Sequence, residues 1–336
     1  MRIGPDTVVV VTGASAGVGR AAVQRFARAG ARLGLIARDE GTLQRLADEL
    51  HADGCVVAIA AVDVADAEAV FDAAARFERE LGPIDVWVND AMLTVFSPVA
   101  EMTADEFRRV TEVTYLGTVH GAMAALRHMT RRRRGHIVNI GSALAYRGIP
   151  LQAAYCGAKH AIRGFTASLR TELRHDHLPI TVSLVELPAM NTPQFDWART
   201  HMRRQPKPMG TIYQPEAAAR AIFRAAQSGV REYWVGLPTV MTIIGNIVSP
   251  PLLDRLLARS GVAGQQTADP VRPDRRDNLE HTVPALHRTH GRFDDLARNR
   301  ALIVSGDVVR LAVIAAGALA FFVVGLAAAG RRRPSA

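Results

Sequence analysis

The chain is poor in lysine. Of its 41 basic residues only Lys159 and Lys207 are lysines, so arginine is the default cation. The formal charge of +9 therefore reads first as compositional bias, and it does not by itself mark a nucleic-acid surface. Lys159 gains meaning from the same scarcity: where arginine is the norm, a lysine marks a place that needs an amine. Cysteine is also scarce, with Cys55 and Cys156 in segments that read as strand and helix. No Cys-x-x-Cys pair and no Cys/His ligand spacing occurs, which argues against a disulfide framework or a metal site and fits a reducing compartment. The chain passes from Met1 to a strand within a few residues, leaving no room for a secretory signal peptide. What it does hold is apolar mass: 49% hydrophobic residues supply a sizeable core and argue against wholesale disorder. There is no internal repeat.

The periodicity predicts alternating strands and helices. Residues 7–12 are an unbroken run of Thr and Val, apolar on both faces as in a buried parallel strand. Further strands are predicted at 33–37, 56–62, 84–89, 136–141, 180–187 and 232–235. Between them lie helices at 42–50, 68–81, 104–129, 153–175 and 215–228. This order predicts an α/β fold, a doubly wound parallel sheet of Rossmann type with helices on both faces, over residues 1–240. Residues 241–307 read as a C-terminal extension. In that region 238–257 is mostly apolar with a Pro250-Pro251 break, and 264–299 is polar and aperiodic, as in a linker or loosely packed tail.

The first strand runs into Thr12-Gly13-Ala14-Ser15-Ala16-Gly17-Val18-Gly19. Glycines at such a turn let the backbone approach a pyrophosphate, and the helix that follows aims its free N–H groups at that anion. An ordinary strand–helix turn is the plainer alternative. At the end of the second strand a carboxylate would bond the adenosine ribose and favour NAD(H). The sequence has Ala37 and then Arg38, which suits a 2′-phosphate and favours NADP(H), although Asp39 comes next.

These residues, with others downstream, resemble the classical short-chain dehydrogenases/reductases over roughly residues 5–240. The match runs through Gly13, Gly17 and Gly19, Asp63-Val64, Asn89-Asp90-Ala91, Ser142, Tyr155-x-x-x-Lys159, Pro188-Ala189 and Thr192. Asp90 and Met92 depart from the family's Asn-Asn-Ala-Gly. The resemblance implies that Ser15, Val18, Asp63, Val64, Asn89, Tyr155, Lys159, Pro188 and Thr192 join the glycines and Arg38 around the cofactor. It implies catalysis by Ser142, Tyr155 and Lys159, and it suggests dimers or tetramers. A fourth position departs: Thr114 stands where the family has an Asn that holds a helix distortion and a water linked to the lysine. A Thr hydroxyl can instead bond its own helix backbone, which opens a question about the proton relay.

The implied chemistry is physically coherent. A free phenol has a pKa near 10, too high for a base at neutral pH. Lys159, four residues on, shares Tyr155's helix face, and its ammonium would lower the phenol's pKa. Ser142 would hydrogen-bond the substrate oxygen. Leu93, Thr94, Leu144, Tyr146, Met190 and Phe195 are expected near an apolar carbonyl or alcohol. Cys156, His136 and His160 read as packing or solvated residues, and Arg131–Arg134 as a charged helix end. The alternative function is a catalytically weak NADP(H)-binding scaffold or redox sensor; tethering of a partner through the tail is a third.

Residues 311–330 are twenty positions without a charge, flanked by Arg310 and Arg331-Arg332-Arg333. Twenty helical residues span about 30 Å, the thickness of a bilayer core, so a transmembrane anchor is expected at 308–330, with the catalytic domain cytoplasmic and the helix in contact with membrane lipid. The flanking charges compete over orientation, a helix lying in the interface is a further option, and 238–257 could form a membrane-facing lip.

Overall fold

The structure, a computed structural model, describes the backbone of residues 1–330 and the side-chain surroundings of residues 1–318. It is built on a sheet whose first strand, β1 (Val8–Thr12), is buried on both faces. Val9 and Val11 enter one apolar cluster and Val8 and Val10 the other, the outcome that an uninterrupted β-branched run dictates for a central strand. After β1 the chain alternates: α1 (Gly17–Ala27), β2 (Arg32–Ala37), α2 (Glu40–Ala52), β3 (Val57–Ala61), α3 (Ala67–Glu80) and β4 (Ile84–Asn89). There follow a short β5 (Val95–Phe96), α4 (Ala104–Thr111), α5 (Gly117–Arg132), β6 (Gly135–Ser142), α6 (Ala153–His175) and β7 (Ile180–Leu187). Then come α7 (Gln194–Trp197), β8 (Arg199–Thr200), β9 (Arg204–Pro206), α8 (Pro215–Ser228) and β10 (Glu232–Val235).

The main sheet has the order β3-β2-β1-β4-β6-β7-β10, all parallel. The order reverses direction between β1 and β4, and such a switch point opens a crevice at the strands' carboxyl ends. Caps fix the helix starts: Asp39 and Asp66 each accept a backbone N–H, and Thr103 with Glu106 forms a reciprocal capping box.

Two expectations change. The helix expected at 104–129 is interrupted, because Glu112–Leu116 forms a π-helical turn between α4 and α5. The expected tail is regular structure over much of its length, and part of it is packed on the sheet. It forms α9 (Leu237–Val248), α10 (Pro250–Ser260), β11 (Gln266–Pro270), β12 (Ile303–Ser305) and α11 (Gly306–Gly330). β12 adds to the main sheet antiparallel to β10, and β11 pairs with β9. Between β11 and β12 the chain is held by Leu279, Val283 and Phe293, which are buried although their neighbours in sequence are mostly polar. That spacing has no helical or strand period, which is why the segment reads as a linker.

Among the described residues no helix is long and apolar enough to cross a membrane. The greater part of the expected 308–330 anchor lies beyond residue 318, outside the residues whose side chains are described. Before that point Leu311, Val313 and Ile314 are exposed.

Candidate active site

The crevice at the switch point is a cavity of about 560 Å³, within the usual size of small-molecule sites. Gly13, Ser15, Gly17 and Val18 border one end, with Arg38, Asp63 and Val64 beside them. Ser142, Tyr155, Lys159, Pro188 and Thr192 also border the cavity.

The glycine turn is shaped by close approach. Gly13 has φ near +70°, and a Cβ there would lie 2.9 Å from the backbone of Ala91. A Cβ at Gly19 would lie 2.2 Å from the Gly13 carbonyl oxygen, so the start of α1 sits on the turn only if this residue is glycine. Backbone thus lines the cradle where side chains would fill it, and α1 begins at its edge. That is a fit for a dinucleotide pyrophosphate.

The chemistry-bearing side chains come from three elements. Ser142 ends β6, Tyr155 and Lys159 lie in the first two turns of α6, and β7 leads into Pro188. Lys159 is buried; its Nζ donates to the Ile140 carbonyl at 2.6 Å and lies 5.6 Å from the centre of the Tyr155 ring. Burial lowers its pKa to about 8, while Asp90 and Glu186 pull it back up. The Tyr155 phenol is pushed above its ordinary value by burial and by the nearby acids, and a hydrogen bond with Ser142 opposes that rise. Two acids flank this pair. Burial pushes Asp90 up to about 7, against the attraction of Lys159 and the Gly19 N–H. Glu186 pairs in register with Gly141 and is fully buried. Neither of its carboxylate oxygens has a hydrogen-bond partner among the described residues, and burial holds it well above the ordinary carboxylate range.

Other expected site residues take different posts. The Asn89 side chain does not border the cavity: it accepts from Trp87 Nε1 at 2.8 Å and donates to Asn139 at 2.9 Å, a buried polar link between β4 and β6. The Asp63 carboxylate accepts from Arg109 and from the Ala65 N–H. Thr114 does not bond its own helix. Its hydroxyl donates to the Leu93 carbonyl and accepts the Leu93 N–H, both at 3.0 Å, and so ties the loop after β4 to the π-helical turn. The helix distortion is therefore present without an asparagine. Leu93, Leu144, Met190 and Phe195 border the cavity as expected. Tyr146 does not; its hydroxyl bonds Glu232 and accepts from Arg310 Nη2 at 2.9 Å, and its ring packs on Trp234. Thr94 is buried outside the cavity, its hydroxyl 3.5 Å from Gln152 Oε1. Cys156 is buried, as is His136, which bonds Ala226 and Ser183.

Sequence reading missed two contributions. Glu186 was legible as a lone acid in an apolar strand, Val-Ser-Leu-Val-Glu-Leu. Asn278, Thr282 and His287 border the cavity from the C-terminal segment, and no local pattern announced them.

Comparisons with known proteins agree with this geometry. The family described as short chain dehydrogenase matches residues 7–203. An uncharacterized oxidoreductase, YxnA, from Bacillus subtilis is 32% identical over 284 residues, covering 84% of this chain and 80% of that protein. Dehydrogenase/reductase SDR family member 7B from Bos taurus is 35% identical over 186 residues, which is 53% of this chain and 56% of the relative. A metagenomic short-chain oxidoreductase solved in complex with NADP superposes with a TM-score of 0.58 at 28% identity, over 68% of this chain and 96% of that one. A short chain dehydrogenase/reductase from Burkholderia phymatum, in complex with NAD, gives 0.66 at 23% identity over 81% and 99%, a likeness of fold. The chain belongs to the short-chain dehydrogenase/reductase family and is an NAD(P)-dependent oxidoreductase acting on CH–OH groups.

Proposed function

We propose that the enzyme uses NADP(H) to interconvert a secondary alcohol and a ketone on an apolar, lipid-like molecule, beside a membrane surface. One observation carries the substrate class: the cavity that holds Ser142, Tyr155 and Lys159 continues between apolar walls that include Met190, Phe195, Leu253 and Leu257. The bound cofactor supplies or accepts the hydride. Tyr155 gives its phenolic proton to the carbonyl oxygen, or takes it back in the alcohol direction. Ser142 holds the same oxygen, and the Lys159 ammonium steadies the phenolate. Gly13, Ser15, Gly17, Val18 and Gly19 form the pyrophosphate cradle, with Asp63 and Val64 at the adenine end and Pro188 and Thr192 at the nicotinamide end. Ala37 leaves room for a 2′-phosphate that an acid would repel, and Arg38 supplies the cation. The relative solved with NADP supports the same choice.

The membrane reading rests on exposed apolar side chains of two successive helices. Leu237, Met241, Ile247 and Val248 on α9 and Leu252 and Leu256 on α10 are exposed. Leu256 also borders the cavity, so the apolar face reaches the pocket mouth. Arg255 and Arg259 are exposed on α10 and suit anionic headgroups. The apolar residues 311–330 would add an anchor.

Steady-state turnover on a panel of hydrophobic ketones, with NADPH against NADH, tests the activity. Co-sedimentation with anionic vesicles, before and after Leu252→Glu with Leu256→Glu, tests the surface. No turnover, with Tyr155→Phe indistinguishable from the parent, would overturn the catalytic reading. It would leave the alternative, a weakly active NADP(H)-binding scaffold, which the commitment of the Thr114 hydroxyl to Leu93 favours. In that case NADPH binding survives Tyr155→Phe.

A further inference from the structure

The segment from Asn278 to Gly291 lies across the mouth of the dinucleotide crevice from one end to the other. At the adenine end Leu279 is buried in the same apolar cluster as Val64 and Val113. Its carbonyl accepts from Arg38 Nη1 at 3.2 Å and from Arg109 Nε at 3.3 Å. The carbonyls of Asn278 and Glu280 accept from the same Arg38 guanidinium. Thr282 donates to Asp39 at 2.8 Å. Further along, the His287 ring nitrogen Nδ1 meets the Ser15 hydroxyl at 2.9 Å, and the Gly17 N–H at the start of α1 donates to the Arg288 carbonyl at 3.0 Å. The segment ends where the Gly291 N–H donates to the Asn191 carbonyl at 3.1 Å, beside Thr192.

We infer that residues 278–291 are a strap that completes the dinucleotide site, closing over bound cofactor with Asn278, Thr282 and His287 as its inner wall. The contacts fall on the residues that define the cradle: Arg38 and Asp39 after β2, Ser15 in the glycine turn, and Gly17 at the head of α1. The cavity is still open beneath the strap, and the three strap residues border it together with Gly13, Val18 and Ser142. A segment that filled the cleft would leave no such space. A segment that roofs it leaves the space and contributes walls. A strap in this position makes exchange of the nucleotide depend on strap opening as well as on the contacts beneath. The strap is fastened by two buried apolar side chains, Leu279 and Val283, and by polar bonds, few enough contacts to open locally without unfolding the sheet.

The inference rests on nicotinamide dinucleotide binding at the cradle and is independent of which dinucleotide is preferred. The test uses the full chain with NADPH and, separately, NADH. Stopped-flow fluorescence of the reduced nicotinamide gives the dissociation rate. The strap reading expects Leu279→Ala and the double variant Thr282→Val/His287→Ala to release cofactor at least tenfold faster. It also expects saturating cofactor to slow amide hydrogen exchange across 278–291 at least tenfold. Unchanged dissociation in both variants, with circular dichroism showing both folded, overturns it. So does faster exchange of 278–291 on cofactor binding, the signature of a plug that the nucleotide displaces. If neither cofactor binds the parent chain, the cradle assignment itself fails, and that outcome is distinct from either of these.

Discussion

Replacing Arg38 by methionine separates the two roles proposed for that side chain, the 2′-phosphate contact and the fastening of the strap. The guanidinium has five N–H donors. Three of them go to the carbonyls of Asn278, Leu279 and Glu280, which leaves two for a ligand. A hydrogen bond from a charged group contributes about 1.5–3 kcal/mol, and each 1.4 kcal/mol is tenfold in affinity. Losing a 2′-phosphate contact should therefore weaken NADPH by roughly 10- to 150-fold and leave NADH untouched. Losing the strap contacts should weaken both nucleotides by a common factor, about tenfold if the three carbonyl bonds together stabilise strap closure by about 1.4 kcal/mol. Methionine keeps most of the apolar stem, so packing changes little. Kd values for both nucleotides, measured by fluorescence quenching, give the two factors independently. The NADH factor reports the strap, and the ratio of the two reports the phosphate. Equal losses for the two nucleotides would refute Arg38 as the phosphate residue. An NADH Kd unchanged by the substitution would refute its role in fastening the strap.

Further consequences can be measured directly. Tyr155→Phe should lower kcat by about 10²–10⁴ with NADPH affinity unchanged, since it removes a proton donor and leaves the cradle intact; pre-steady-state turnover and cofactor titration separate the two. Gly19→Ala forces a Cβ toward a carbonyl oxygen 2.2 Å away and should abolish measurable NADPH binding while lowering Tm. Glu186→Gln should raise stability at pH 8 and change little at pH 4. The folded protein holds that proton above the ordinary carboxylate pKa, so the parent loses about 1.4 kcal/mol per pH unit between the unfolded value and the folded one, and the amide has no proton to lose; urea melts at the two pH values decide. His136 runs the other way. Burial lowers it from 6.5 to about 4, so stability falls as pH drops through that window, by about 3 kcal/mol in all, and a His136→Gln chain should lose that acid sensitivity in the same melts.

The sequence made the sheet legible because a strand buried on both faces, such as β1, reads as a short continuous apolar run. It made the glycine turn and the Tyr155–Lys159 pair legible because their spacing is local: a turn of eight residues and one step of four on a helix. What stayed hidden depends on distant partners. Thr114 reads as a helix residue bonding its own turn, and only the fold shows that Leu93 comes within reach. Tyr146 reads as a pocket aromatic until the fold brings Glu232 and Arg310 to its hydroxyl. The strap is the extreme case. Its affinity for the cleft lies in backbone carbonyls that accept from arginines, and carbonyls have no sequence signature. Its one large apolar anchor at the adenine end, Leu279, stands alone among polar residues, so no period can reveal it. Asn89 shows the converse: a residue placed beside the cofactor by resemblance spends its side chain on Trp87 and Asn139.

The electrostatics around Tyr155 bear on the direction of the chemistry. Three influences in the protein raise its phenol: burial first, then the neighbouring Cys156, and then the acids Asp90 and Glu186. The Ser142 bond lowers it, and Lys159 is the only lysine at the site. Lys159 is itself drained by burial, which lowers its pKa to about 8, so near neutral pH its charge responds to small changes in its surroundings. Asp90 and Glu186 are both raised above the ordinary carboxylate range, with burial the largest cause in each. A phenol in this setting keeps its proton and is poised to give it away, which is what carbonyl reduction asks of it. Alcohol oxidation needs the phenolate, which the Lys159 ammonium and the cationic nicotinamide of an oxidised cofactor beneath the strap would favour. The same closure that shuts water out of the cleft would strengthen that cation's pull on Tyr155, because a charge acts further in a drier site. Strap and proton donor are thus joined through the dielectric of one cavity, although no bond connects them.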